Sequence, residues 1–294
     1  MCSLMPNFMC EIKSIGVIGS GAMGLGIAEH FLISGYNVSV IDSQLENLNK
    51  GFFLLKEKIN KYGIKNKLSS QEIESILDRC LFSTSYSLLK DRDVNFVIEA
   101  VYEDIEVKSK VFESVVQYVD EKVILATNTS SLSIEELAGF VQSPERFLGV
   151  HFFNPVKHMP LVEIIPHSLT HIDVIQIVKS LISNTQKVGV VCKDSPGFIV
   201  NKLLIPMINQ AGQMLDKGIA CPQDIDRAMT LGAKIPMGPL KLADFIGLDI
   251  VVAIQNILYH EEKNDYYKPA KCFASLVEKG CLGLKTKKGI YDYE

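Results

Sequence analysis

The chain has 294 residues, 47% of them apolar and 22% charged, enough to fill the cores of about two ordinary domains. That composition excludes a disordered chain, and the 20 Gly and 11 Pro follow no repeat that would mark a collagen or a solenoid. Thirty basic against 34 acidic residues give a net charge of −4, which argues against a surface built to track nucleic-acid phosphates. The apolar runs fall well short of the ~20 residues that span a bilayer.

The first eleven residues, MCSLMPNFMCE, lack a basic n-region and a long apolar stretch and do not read as a secretory leader. The seven cysteines (2, 10, 80, 192, 221, 272, 281) contain no CxxC pair, so thiols in a reducing compartment are expected. We expect a cytoplasmic protein with no nucleic-acid and no membrane partner.

In chain order, Ser14 to Ile18 is a β-rich run ending at glycine, Ala22 to Ile33 has helical spacing, and Gly35 stops it before a second strand, Val38 to Asp42. This is a βαβ unit of the usual size, and a parallel sheet follows from it. Leu45 to Cys80 reads as a charged helical pair, broken at Gly63 and restarted at Ser69 or Ser70 with Glu72 in the first turn. Val94 to Ala100, Val123 to Thr127 and Phe147 to Phe152 are further strands, with helices near Glu106 to Val119 and Ser133 to Phe140. Leu161 to Ile165 and Val188 to Val191 are strands flanking a helix at about Ile172 to Leu181.

At Asp194-Ser-Pro-Gly197 the texture changes to turn chemistry. Beyond it come helical patterns at Ile199 to Asp216, Gln223 to Leu231 and Lys241 to Leu258, with no strand. The expected architecture is α/β: an N-terminal Rossmann-type, doubly wound and mostly parallel sheet over 12–193, carrying a helical insertion at 45–80. A smaller all-α domain follows over 194–294, with apolar surface for a substrate wall and a homodimer interface.

Gly19-Ser20-Gly21-Ala22-Met23-Gly24 is G-x-G-x-x-G, whose glycines permit a tight turn, close approach of a pyrophosphate and close helix packing. Placement between strand and helix gives the motif its weight. Asp42 ends the second strand eighteen residues after Gly24, where a carboxylate meets the adenosine ribose hydroxyls. Ser43 and Gln44 follow it, with no arginine for a 2′-phosphate, so the expected cofactor is NAD rather than NADP.

Of six histidines (30, 151, 158, 167, 171, 260), His151 stands out because it ends a strand of the sheet just before Asn154-Pro155 turns the chain. If the next strand runs back, Glu163 approaches the His151 ring and stabilises its charged form. His167 and His171 are spaced as a metal pair, but no third ligand is evident and no metal is expected.

Asn128-Thr-Ser-Ser-Leu132, His151-Phe-Phe-Asn-Pro155, Leu161-Val-Glu-Ile164, Asp194-Ser-Pro-Gly-Phe-Ile-Val-Asn201 and Pro236-Met-Gly-Pro239 stand in order along the chain. With these motifs the sequence resembles the L-3-hydroxyacyl-CoA dehydrogenases from about Ile15 to Tyr293, and within them the branch acting on 3-hydroxybutyryl-CoA. The resemblance implies NAD-dependent, reversible oxidation of an (S)-3-hydroxyacyl-CoA to the 3-keto ester, an acyl-CoA partner and a homodimer. It implies His151 as catalytic base, Glu163 as its dyad partner, and Ser130 and Asn201 as contacts of the 3-oxygen.

It also places Glu103, Lys108, Asn128, Ser130, Asn154 and Lys285 among the cofactor contacts. The lysines at 50, 56, 58, 61, 65 and 67, with Lys58 and Lys65 foremost, become candidates for the coenzyme A phosphates. Two positions depart from the family's habit: Lys285-Thr-Lys-Lys-Gly289 lacks a glycine after the threonine, and Lys202 stands where arginine is common. Two other readings share the motifs: a gulonate-type 3-hydroxy-acid dehydrogenase that does not use CoA, and a dinucleotide-binding protein without turnover.

Overall fold

A computed structural model describes residues 12–294, so the leader reading and Cys2 and Cys10 lie outside the described residues. The chain divides into a first unit ending at Asp194 and a second, Ser195–Glu294.

The first unit runs β1 (Ser14–Ile18), α1 (Ala22–Ile33), β2 (Asn37–Ile41), α2 (Leu45–Lys65), α3 (Ser70–Leu77), β3 (Cys80–Ser83), α4 (Ser87–Asp91) and β4 (Phe96–Glu99). It continues α5 (Ile105–Val115), β5 (Ile124–Thr127), α6 (Ile134–Leu137), β6 (Phe147–Phe152), β7 (Leu161–Pro166), α7 (Ile172–Asn184) and β8 (Val188–Val191). All eight strands form one sheet in the order β3-β2-β1-β4-β5-β6-β7-β8. Every neighbouring pair is parallel except β6 and β7, which run antiparallel. The central strands β1, β4, β5 and β6 are buried along their whole length, as parallel strands covered on both faces require. The order reverses between β1 and β4, and that switch point is where open α/β sheets hold their ligands.

Two details of the helical insertion differ from the sequence expectation. Gly63 lies inside α2 rather than breaking it: a Cβ there would sit 2.4 Å from Ile73, so the glycine lets α3 press onto α2. The insertion also ends at Leu77, because Cys80 is already the first residue of β3, paired in parallel with Val38. A four-residue edge strand gives too short a period-2 signal to stand out after a helix. The α3 start does follow its capping pattern: Ser69 Oγ accepts from Glu72 N while Glu72 Oε2 accepts from Ser69 N at 2.7 Å.

The second unit is helical: α8 (Val200–Asp216), α9 (Pro222–Gly232), α10 (Pro239–Ile246), α11 (Leu248–Glu262) and α12 (Lys271–Glu278). They enclose a core that includes Ile205, Ile208, Leu240, Val251 and Phe273. The single helix expected over Lys241 to Leu258 is two helices bent by 101° at Gly247, whose φ of +106° an L side chain rarely adopts. Buried Asp244 fastens the end of the chain to α10, accepting from Ile290 N, Tyr291 N and Tyr293 OH. Among the described residues no single helix is long and apolar enough to cross a membrane.

Candidate active site

The three motif glycines have three different physical reasons to be glycine. Gly19 has φ +106°, and a Cβ on it would lie 2.6 Å from the Ala100 carbonyl oxygen at the end of β4. Gly24 presses against the turn itself, since its Cβ would meet the Gly19 oxygen at 1.9 Å. At Gly21 a Cβ would meet nothing within 4 Å, so the protein alone sets no limit there.

Gly21 is also the N-cap of α1 and offers no side chain to its first turn, and no acidic residue stands in that turn. Those amides suit an anion such as a pyrophosphate, and the absent Cβ lets it approach the backbone. The cradle residues therefore fit a dinucleotide. Ala22 opens α1 and Met23 is half-buried beside it.

Asp42 follows β2 and is tied to the cradle. Its Oδ2 accepts from Ser20 N at 2.9 Å and Ser20 Oγ at 2.8 Å, and its Oδ1 accepts from Gln44 N at 3.0 Å. Partial burial raises its carboxyl, but the hydrogen bonds from Gln44 and Ser20 outweigh that and hold it below the usual carboxylate range. The carboxylate is thus charged and fixed beside buried Ser20, placed for ribose hydroxyls.

β6 and β7 bring the histidine and the acid together. The antiparallel register pairs His151 directly with Glu163, and His151 Nδ1 lies 2.8 Å from Glu163 Oε2. Both side chains are buried, at 7% and 1% exposure, and the imidazole packs against the Phe153 ring at 4.4 Å between centroids. Engaging Nδ1 with a carboxylate fixes the ring's orientation and presents Nε2 as the nitrogen for proton exchange. Asn154 follows on an exposed turn through a cis bond to Pro155.

The 128–132 loop leaves β5 and is held at both ends. Asn128 Oδ1 accepts from Phe152 N at 2.8 Å, tying the loop to the residue after His151. Glu103 Oε1 gathers Thr129 Oγ1 at 2.6 Å, Ser130 N at 2.8 Å, Ser131 Oγ at 3.0 Å and Ser130 Oγ at 3.3 Å. Burial raises the Glu103 carboxyl, but the Lys108 charge and these hydrogen bonds prevail and lower it.

Lys108 is 1% exposed, and its ammonium lies 2.7 Å from Glu99 Oε1 and 3.2 Å from Glu103 Oε2. Sequence reading passed over Glu99, although a glutamate closing the apolar run VNFVIEA was a visible signal of a buried, partnered charge.

Of the phosphate candidates, Lys65 is exposed, while Lys58 lies 3.4 Å from Glu29 Oε2, a carboxylate only 6% exposed. In the second unit Asn201 sits in the first turn of α8, half-buried, and Lys285 pairs with Asp249. Three of the other histidines are engaged or buried away from the His151–Glu163 pair. His171 caps α7 by accepting from Asp173 N, His167 Nε2 bonds the Pro144 carbonyl, and burial pushes the His30 imidazole down to about 4. No group of three or more His, Cys, Asp or Glu among the described residues is arranged to hold a metal.

Comparison with known proteins places these observations in a family. Residues 14–195 match the 3-hydroxyacyl-CoA dehydrogenase NAD binding domain, and residues 197–293 match the 3-hydroxyacyl-CoA dehydrogenase C-terminal domain. A 3-hydroxybutyryl-CoA dehydrogenase of Clostridioides difficile is 43% identical over 279 residues, covering 95% of this chain and 99% of that one. The mitochondrial hydroxyacyl-coenzyme A dehydrogenase of Sus scrofa is 36% identical, covering 96% and 92%. The crystal structure of (S)-3-hydroxybutyryl-CoA dehydrogenase PaaH1 from Ralstonia eutropha superposes with a TM-score of 0.91 at 40% identity, over 96% of this chain and 99% of that one.

Proposed function

Because the chain belongs to the 3-hydroxyacyl-CoA dehydrogenase family, we propose that it interconverts (S)-3-hydroxybutyryl-CoA and its 3-keto ester with NAD, using His151 as acid and base. The observation that carries this reading is the buried His151–Glu163 pair at 2.8 Å, on the strand whose neighbouring loop holds Ser130. When bound, NAD supplies the acceptor for the hydride leaving C3.

In the oxidising direction His151 Nε2 takes the proton of the 3-hydroxyl. Glu163, opposite Nδ1, steadies the resulting imidazolium, and in reduction the same nitrogen returns the proton to the 3-oxygen. The Ser130 hydroxyl orients that oxygen, as does the Asn201 amide by the family's pattern. Asp42 and the cradle amides hold the cofactor, and the cluster around Glu103 keeps Ser130 in place. Lys65 and Lys58 meet the phosphates of coenzyme A.

The names of the relatives support a four-carbon acyl chain. NADH oxidation with acetoacetyl-CoA and free acetoacetate, and NAD reduction with L-gulonate, test the proposal. Turnover with the thioester is expected, turnover on free acids alone would replace it with the CoA-independent reading, and none at all would leave a binding protein.

The proposal extends to a cytoplasmic homodimer without nucleic-acid or membrane partners. Leu203, Ile219, Leu231, Phe245 and Ile250 are exposed on the second unit, an apolar surface suited to a second copy. Five described cysteines are free, as a reducing compartment keeps them. Sedimentation at micromolar concentration is expected to give twice the chain mass, and a monomer would contradict the dimer.

A further inference from the structure

The turn that leads into α8 holds two left-handed residues in succession, Gly197 at φ +74° and Phe198 at φ +51°. A phenylalanine rarely adopts that conformation, and such strain persists only where the surroundings over-determine it. Phe198 N donates to Ser195 O at 2.9 Å and Lys202 N to Gly197 O at 3.0 Å, so the turn folds back on itself just before Asn201. Its inner side is packed: Phe198 is 5% exposed, and a Cβ on Gly197 would lie 3.3 Å from Leu258 of α11. The Lys202 side chain fastens it from the solvent side. Its Nζ donates to Ser195 Oγ at 2.9 Å and to Glu262 Oε1 at 2.7 Å. Glu262 stands four residues beyond Leu258 on α11, so the packed contact and the charged one use the same helix face.

We propose that Lys202 is a positioning residue: by bridging Ser195 to Glu262 it locks the turn over 195–198 and so sets where the adjoining Asn201 amide points. This rests on the reading of Asn201 as a contact of the substrate's 3-oxygen. Both side chains of the bridge are about one-third exposed, and an ion pair in that setting contributes little to stability. Its weight lies in geometry. The N-cap of α8 is Ile199, whose side chain has no polar atom to accept from the first turn, so the helix start owes its place to the turn before it. A displacement of about 1 Å in a group that orients a reacting atom is enough to lower the rate by one to two powers of ten.

Lys202→Met keeps most of the stem and removes the ammonium, Lys202→Arg keeps the charge, and the methionine variant is also made together with Asn201→Ala. Steady-state NADH oxidation with acetoacetyl-CoA, NADH titration, melting temperature and amide hydrogen exchange over 198–203 are compared with wild type. For Lys202→Met the expected result is kcat lower by about tenfold, NADH affinity within about twofold and a melting temperature within about 2 °C. Exchange at the Phe198 and Lys202 amides should be faster by about tenfold. Lys202→Arg should restore kcat to within about twofold of wild type. Added to Asn201→Ala, Lys202→Met should lower kcat by less than a further factor of about two, because the amide it positions is already gone.

Undiminished kcat in Lys202→Met, or the same tenfold drop when Asn201 is already absent, would overturn the proposal. Glu262→Gln loosens the bridge from its far end and gives the same comparison should Lys202→Met not fold. Wild-type protein inert toward acetoacetyl-CoA would remove the proposed function alone. The exchange measurement then decides, and unchanged protection at Phe198 and Lys202 would show that the bridge does not order the turn.

Discussion

His151 and Glu163 are direct cross-strand partners, the one antiparallel step in the sheet placing imidazole Nδ1 2.8 Å from the carboxylate. Neighbouring side chains on the same face of a strand pair stay together without a specialised loop, so the dyad is as rigid as the sheet. Replacing Glu163 with Gln keeps the volume and removes the charge that steadies the imidazolium. We expect kcat to fall by about a hundredfold or more while NADH affinity, measured by fluorescence titration, changes by less than about twofold. A variant with undiminished kcat would mean that the carboxylate is only a packing partner.

The glycine motif separates binding from folding. Gly21→Val adds a side chain into space that the protein leaves open, so the melting temperature should hold while NADH binding is lost. Gly24→Ala forces a Cβ to 1.9 Å from the Gly19 oxygen, and stability should drop by about 2 to 3 kcal/mol, read by denaturant unfolding. Normal NADH titration of the valine variant would remove the cradle assignment.

Asp42 carries a carboxyl held below its ordinary value, so its contribution to stability is present above the unfolded value of about 3.9. That contribution is lost as pH falls through the lower folded value. The side chain therefore stays charged from pH 8 to 5, and NADH affinity should be flat across that range. Asp42→Asn should weaken NADH about tenfold and narrow the preference over NADPH. A variant that still rejects NADPH as strongly as wild type would place that selectivity elsewhere.

Much of this was readable from residue order because the relevant signals are local. The strand-glycine-helix sequence at 14–33 and the Ser69–Glu72 cap each lie within a few residues, where spacing reports geometry directly. The approach of Glu163 to His151 needed only that the chain turn back after Asn154-Pro155. What escaped the reading depends on tertiary packing. Gly63 looks like a helix breaker until Ile73 is seen to occupy the space beside it, and the 101° bend at Gly247 has no periodic signature in an unbroken apolar pattern. Nothing in the local sequence around Lys108 reports its burial, and only the tertiary fold brings buried Glu99 at the end of β4 to 2.7 Å from its ammonium.

The two lysines offered to the coenzyme differ in what else they do. Lys58 shares the buried Glu29 carboxylate with Lys157, so Lys58→Ala should lower the melting temperature as well as any affinity. Exposed Lys65 has no such duty. Lys65→Ala should raise KM for acetoacetyl-CoA about threefold at low ionic strength, with the difference fading in high salt. An unchanged KM at low salt would exclude Lys65 from the phosphate contacts.

The most direct measurement is steady-state NADH oxidation with acetoacetyl-CoA by wild type and His151→Gln, paired with NADH titration of both. If His151 is the group that moves the proton, wild type turns over, and the variant binds NADH within about twofold but has kcat lower by about a thousandfold. A glutamine variant that turns over at the wild-type rate would contradict the assignment of acid–base chemistry to this side chain.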